Sequence, residues 1–144
     1  MKSRVVLDTN VLVTALCNQD GASHLLIRWA LADKIVLLAS PALWLEYETV
    51  IKRPEIRLRY GITLENLDIV LDTLAAHVEP VHLSYLWRPQ LRDPNDEMVL
   101  ETALNAGADA LVIFNTKDFA EAAKRFSLKL LTPSECVKFT GDKL

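Results

Sequence analysis

Short apolar runs and longer amphipathic stretches alternate along the whole chain. Arg4 to Leu7 reads as a strand, and Leu12 to Cys17 is an apolar stretch able to open a helix. Asn18-Gln19-Asp20-Gly21 is a turn, after which Ser23 to Asp33 places Leu26, Trp29 and Ala30 on one helical face. Ile35 to Ala39 is a continuous apolar strand. Ser40-Pro41 then supplies an N-cap and a first-turn proline for a helix from Pro41 to about Lys52, with Leu43, Tyr47, Val50 and Ile51 as its stripe. Pro54 is expected to end it. Thr63 opens a helix carrying Leu64, Leu67, Leu71 and Leu74, and His77 to Val81 is a short strand. Asp93-Pro94 begins a further helix that Gly107 closes, followed by a strand over Ala110 to Phe114. Asp118 to Arg125 reads as a short helix and Leu128 to Leu131 as a last strand. Thr132-Pro133-Ser134-Glu135 is a capping box for a closing helix. Strands separated by helices predict an α/β fold: a three-layer α/β/α sandwich around a mostly parallel central sheet.

Composition changes this picture little. A chain of 144 residues, 51% hydrophobic, is expected to make a single domain over 1–144 with a full core. No repeat with a period of roughly 20 to 50 residues stands out. No run reaches the about 18 apolar residues of a membrane span, and Asp8 interrupts the first apolar run too early for a signal peptide. Cys17 and Cys136 lack metal-ligand spacing and read as free thiols of a reducing compartment, so a cytoplasmic location is expected. The formal charge of −3 gives no general argument for nucleic-acid binding. Basic residues nevertheless gather at Lys52, Arg53, Arg57 and Arg59, with Glu55 among them, and at Arg88 and Arg92. Each group is either a solvated face or a patch suited to a polyanion.

The acids sharpen the reading. In an open parallel sheet, ligand sites gather at the carboxyl ends of the strands. Asp8 follows the first strand, Glu46 lies in the second turn of the helix after the second strand, Asp96 lies in the first turn after Asp93-Pro94, and Asn115 follows the Ala110 strand. Oxygen donors meeting at one sheet edge suit Mg²⁺ or Mn²⁺. Each also has a structural explanation. Asp8 can cap a turn, Asp93 is a sufficient N-cap, Asp96 suits the helix dipole, and Asp118 caps with Glu121 three residues on. Glu46, beside Tyr47, is expected to face inward, and Glu48 to be solvated.

"VVLDTNVLV", "SPALWLEYETVI" and "RDPNDEMVLETALNAGADALVIFNTKDF" resemble, in order and spacing, the three signature blocks of PIN domains. The group most resembled is that of toxin components of type II toxin–antitoxin systems. The resemblance implies a PIN-like sandwich and a metal-dependent endoribonuclease in which Asp8, Glu46 and Asp96 hold Mg²⁺ or Mn²⁺. Asn115 stands where many members have aspartate, which removes one charge. Asp118, Thr9 and Asn10 would support the acids by hydrogen bonding, with Asp93 second in rank. Arg53, Arg57 and Arg59 would steer the RNA backbone. The expected chemistry is attack of a metal-activated water on a phosphodiester, leaving a 5′-phosphate, with any second ion roughly 4 Å from the first.

Partners implied by the resemblance are RNA, a small antitoxin protein and a second copy of the chain, with Trp44 or Trp87 as interface candidates. Competing readings are a catalytically silent PIN-like binding module, a receiver domain and a haloacid-dehalogenase-type phosphatase. A receiver would need paired acids near the first strand, where Asp8 stands alone. The phosphatase would want an aspartate where Asn10 stands.

Overall fold

The structure, a computed structural model, describes residues 2–84, 91 and 93–144. Trp87, Arg88 and Arg92 lie outside the described residues. Five parallel strands form one sheet: β1 (Ser3–Leu7), β2 (Ile35–Ala39), β3 (Val78–Pro80), β4 (Ala110–Val112) and β5 (Leu130–Leu131), in the order β3-β2-β1-β4-β5. The helices are α1 (Thr9–Cys17), α2 (Ala22–Leu31), α3 (Pro41–Ile51), α4 (Pro54–Tyr60), α5 (Leu64–Ala75), α6 (Pro94–Ala106), α7 (Ala120–Arg125) and α8 (Pro133–Gly141). A 3₁₀ turn spans Thr116–Phe119.

The two faces of the sheet can be told apart along β1, because successive side chains point to opposite sides. Ser3 shares a small cavity with Thr140 of α8, so Ser3, Val5 and Leu7 face that helix's layer. Arg4 instead donates to the Ala106 carbonyl at the end of α6 and pairs with Glu79 of β3 at 2.7 Å, so Arg4 and Val6 face α6. Helix α6 packs across β1, β2 and β4, while α2 and α8 pack on each other and on the strands of the other face. This is the expected three-layer sandwich. Val5, Val6, Leu37, Leu38, Leu111 and Val112 are all buried, as a parallel sheet covered on both faces requires.

Several expected boundaries move, each for a physical reason. Pro54 does not only end α3; it occupies the first turn of α4, where its missing N–H costs nothing, and Gly61 at φ 65° closes that helix. β4 stops at Val112 rather than Phe114, because its partner β1 ends at Leu7 and the Asp8 N–H bond to the Val112 carbonyl, at 2.9 Å, extends their ladder by only one more bond. Leu128 is spent on closing α7, donating to the Ala123 carbonyl at 2.8 Å, so β5 begins only at Leu130. Asp118 is not a helix N-cap. It lies inside the 3₁₀ turn, and Asn115 caps that turn by accepting from the Lys117 N–H at 3.2 Å. The capping box of Thr132 and Glu135 forms as expected.

Candidate active site

The chain runs from β1 outward to β2 and β3, then returns to place β4 and β5 on the other side of β1. A parallel sheet opens a crevice where its strand order reverses, at the carboxyl ends of the two strands concerned. Here those strands are β1 and β4, and the residues beyond them are Asp8 and the turn containing Asn115 and Asp118.

Asp8 sits at the N-cap position of α1 with extended backbone (φ −61°, ψ 151°), and its carbonyl accepts from the N–H groups of Val11 and Leu12. Its carboxylate makes no side-chain cap to the second or third helical N–H. Only the Thr9 N–H, at the first helical position, pulls its pKa down. Burial is the stronger influence and pushes the carboxyl up, with the charges of Asp93 and Glu46 adding to it. Beneath it, Tyr47 of α3 donates its hydroxyl to the Leu7 carbonyl, which fixes the last peptide of β1 against α3. Burial and the nearby Asp8 charge keep that phenol protonated far above its ordinary range.

Asp96 lies half-buried in the first turn of α6. Its pKa is pushed up to about 6, first by burial and then by the charges of Asp93, Asp8 and Asp118. Asp93 caps α6 by accepting from the Asn95 N–H at 2.9 Å, as expected, and still adds its charge to the group. Glu46 is half-buried, and its charge reaches Asp8. Asn115 joins from the far side: its amide donates to Asp118 at 3.4 Å. Asp8, Glu46, Asp93, Asp96 and Asp118 therefore share one electrostatic neighbourhood.

The other expected residues are less involved. Thr9 is buried and acts through its backbone; Asn10 is exposed. Among the described residues, neither side chain is hydrogen-bonded to an acid. Arg57 and Arg59 belong to α4, and Arg53 is its N-cap residue. Arg57 donates to the Lys52 carbonyl at 3.0 Å, satisfying the end of α3, and Arg59 stacks over Tyr60 with 5.4 Å to the ring centroid. The charge of Arg59 is felt at Cys17, at the opposite end of α1 from Asp8, a helix length of roughly 13 Å. Arg53 is exposed.

Residues 4–117 match the family model described as PIN domain. The chain belongs to the PIN-domain family. PIN domains are generally nucleases, a class that takes RNA as substrate, and they typically use divalent metals. No curated protein matches this PIN domain in sequence. Among the described residues, none of its helices is long and apolar enough to cross a membrane.

Sequence reasoning missed the supports of this PIN-domain crevice. Ser40, the expected cap of α3 through the Leu43 N–H, also shares a fully buried hydrogen bond of 2.8 Å with Thr102 that ties the start of α3 to α6. Glu97 and Glu101 are buried on α6, and Glu97 accepts from the Leu91 N–H at 2.6 Å. The signal was present: Glu97, Glu101 and Leu104 share the i, i+4, i+7 spacing of a single helix face.

Proposed function

We propose that this PIN domain is a metal-dependent endoribonuclease, a single nuclease unit over 1–144 acting as the toxin of a toxin–antitoxin pair. Asp8 and Asp96 are the principal metal-holding acids, with Glu46 beside them. The observation that carries this reading is the gathering of carboxylates beyond β1 and β4: burial first, and then neighbouring acid charges, Asp93 and Glu46 at Asp8 and Asp93, Asp8 and Asp118 at Asp96, push both carboxyls up. A cation at the crevice would relieve that repulsion.

The donor chemistry fits such an ion. The acids and Asn115 offer oxygen, the donor that hard divalent cations take. Among the described residues no three acidic, histidine or cysteine side chains enclose a metal position on their own. Mg²⁺ does not need such a cage, because it keeps several waters and is held by one or two carboxylates together with the substrate's phosphate. When bound, the ion would supply an activated water and neutralise charge on the phosphodiester.

The chain's own residues do the rest. The Asp8 N–H bond to Val112 and the Tyr47 bond to Leu7 hold the backbone that carries the Asp8 carboxylate. Glu46 orients the attacking water toward the phosphorus. Asp93 and Asp118 deepen the negative potential that draws the cation in, while Asn115 holds Asp118 in place and Thr9 and Asn10 carry the chain past Asp8. Arg53, Arg57 and Arg59 would steer the RNA backbone, Arg53 from the N-cap of α4 foremost, since Arg57 and Arg59 already have partners.

Cleavage of a structured RNA panel with Mg²⁺ or Mn²⁺ tests the proposal. Wild type should cut; Asp8→Asn and Asp96→Asn should not. Equal cutting by all three would assign the activity to a contaminant and remove the site. Asn115 favours a second reading, a silent binding module, because it brings no charge and its oxygen already serves as a cap. RNA bound tightly without turnover in either ion would select that reading. Growth arrest on expression, relieved by a co-encoded small protein, tests the toxin assignment. Sedimentation of the purified chain tests the expected homodimer.

A further inference from the structure

Away from the crevice, an open groove of about 600 Å³ runs between α3 and α5 over the edge strand β3. Its floor and walls are apolar: Trp44 and Leu45 of α3, Ala75 of α5, and Val78 and Pro80 of β3, with Glu48 at its rim. Leu45 is 64% exposed. Trp44 stands between this groove and the core, its ring edge-on to Tyr47 with centroids 5.9 Å apart. The volume lies within the range of preformed binding clefts, roughly 300 to 1,000 Å³.

The mouth of the groove carries a definite charge. Glu48 stands 4.0 Å from Lys52, and Asp68 of α5 takes the same ammonium at 2.9 Å. The charge of Asp72, one helical turn before Ala75, reaches Lys52 as well. Three carboxylates thus share one lysine, so the network that Glu48 joins at the rim is net negative. RNA is repelled by such a rim, even though an aromatic ring is available for stacking. An added β-strand is also poorly served, because Pro80 has no N–H to offer along the β3 edge. Two helices walling an apolar channel with acidic borders suit a third helix whose apolar stripe is flanked by lysine or arginine.

We propose that this groove docks a basic amphipathic helix of a partner protein, with Leu-like side chains seated against Trp44, Ala75 and Val78 and cations facing Glu48 and Asp72. The inference does not rest on the nuclease reading, since no acid of the crevice takes part.

Two labelled helical peptides with identical leucine positions test it on the full chain by fluorescence anisotropy, one flanked by lysines and the other by glutamates. The lysine peptide should bind saturably and about tenfold or more tighter than its glutamate twin. Ala75→Leu, which fills the groove, should weaken it about tenfold. Leu45→Ser, at an exposed position, should weaken it in the same direction with the melting temperature unchanged, which guards against misfolding of the first variant. Glu48→Gln combined with Asp72→Asn should cost up to about fivefold and flatten the salt dependence. Equal binding of both peptides, no binding of either, or full affinity in Ala75→Leu and Leu45→Ser would overturn the proposal. So would displacement of the peptide by a single-stranded oligonucleotide, which would give the groove to RNA.

Discussion

The molecule holds two groups of acids and treats them in opposite ways. At the α3–α5 crossing, Glu48, Asp68 and Asp72 surround Lys52, whose ammonium is stabilised mainly by its hydrogen bond to Asp68. At the crevice, Asp8, Glu46, Asp93, Asp96 and Asp118 gather with no described lysine or arginine side chain paired to them, and the carboxyls of Asp8 and Asp96 are pushed up instead. The same side-chain type thus shares a lysine where the two helices meet, and has no described cation among its members where two strands part. Uncompensated charge on rigid backbone is characteristic of sites kept for binding rather than for stability.

Removing a crevice acid should break this contrast most visibly. Asp8→Asn is expected to lower RNA cleavage by at least about 100-fold, more than the loss of a supporting residue around a metal, measured as initial rates with Mn²⁺. The same variant should raise the melting temperature of the metal-free chain, because it removes a repelled, desolvated charge. A lower melting temperature would mean that Asp8 stabilises the fold, and the comparison would fail. Next in size is the framework between the helices. Ser40→Ala removes both the α3 cap and the buried bond to Thr102 and should cost about 1–3 kcal/mol in denaturant unfolding.

A pH series sharpens the comparison further. The Asp96 carboxyl titrates near 6 in the folded chain against an ordinary value of 3.8, so the folded state holds that proton more tightly than the unfolded state. Its contribution is therefore present in full below about pH 4 and is lost as pH rises through about 6. Metal-free protein should lose stability over that window. Mg²⁺ or Mn²⁺ should raise the melting temperature more at pH 7.5 than at pH 5, because the ion competes with the proton. An equal shift at both pH values, or a pH dependence untouched by Asp96→Asn, would remove Asp96 from the ion's shell. The smallest effect belongs to the lysine-linked group: Lys52→Met should lower the melting temperature only slightly and leave cleavage unchanged, as expected for exposed ion pairs.

Much of this was legible from apolar periodicity alone. The continuous runs Arg4 to Leu7 and Ile35 to Ala39 are strands because both faces are buried, and the parallel order followed from the helices between them. The acids could be assigned to one edge because a parallel sheet sends every strand's carboxyl end the same way. What pattern could not supply was competition for individual backbone groups. The β1–β4 ladder runs out at the bond from Asp8 to Val112, the Leu128 N–H is taken by α7, and the cap of the 3₁₀ turn by Asn115 rather than Asp118. Helix α4 escaped because a proline was read only as a stop. The choice between cap and site acid for Asp8 was equally hidden: Asp93 caps with its side chain, whereas Asp8 occupies the cap position and leaves the usual N–H groups untouched.

The central place of β1 has a consequence for the growing polypeptide. Asp8 leaves the ribosome 88 residues before Asp96, roughly 4 to 18 s at usual rates of elongation. Until α6 and β4 follow, β1 has only β2 and β3 on one side and its other edge is open. The two halves of the crevice cannot meet until α6 has been made, and any activity that depends on both begins only then.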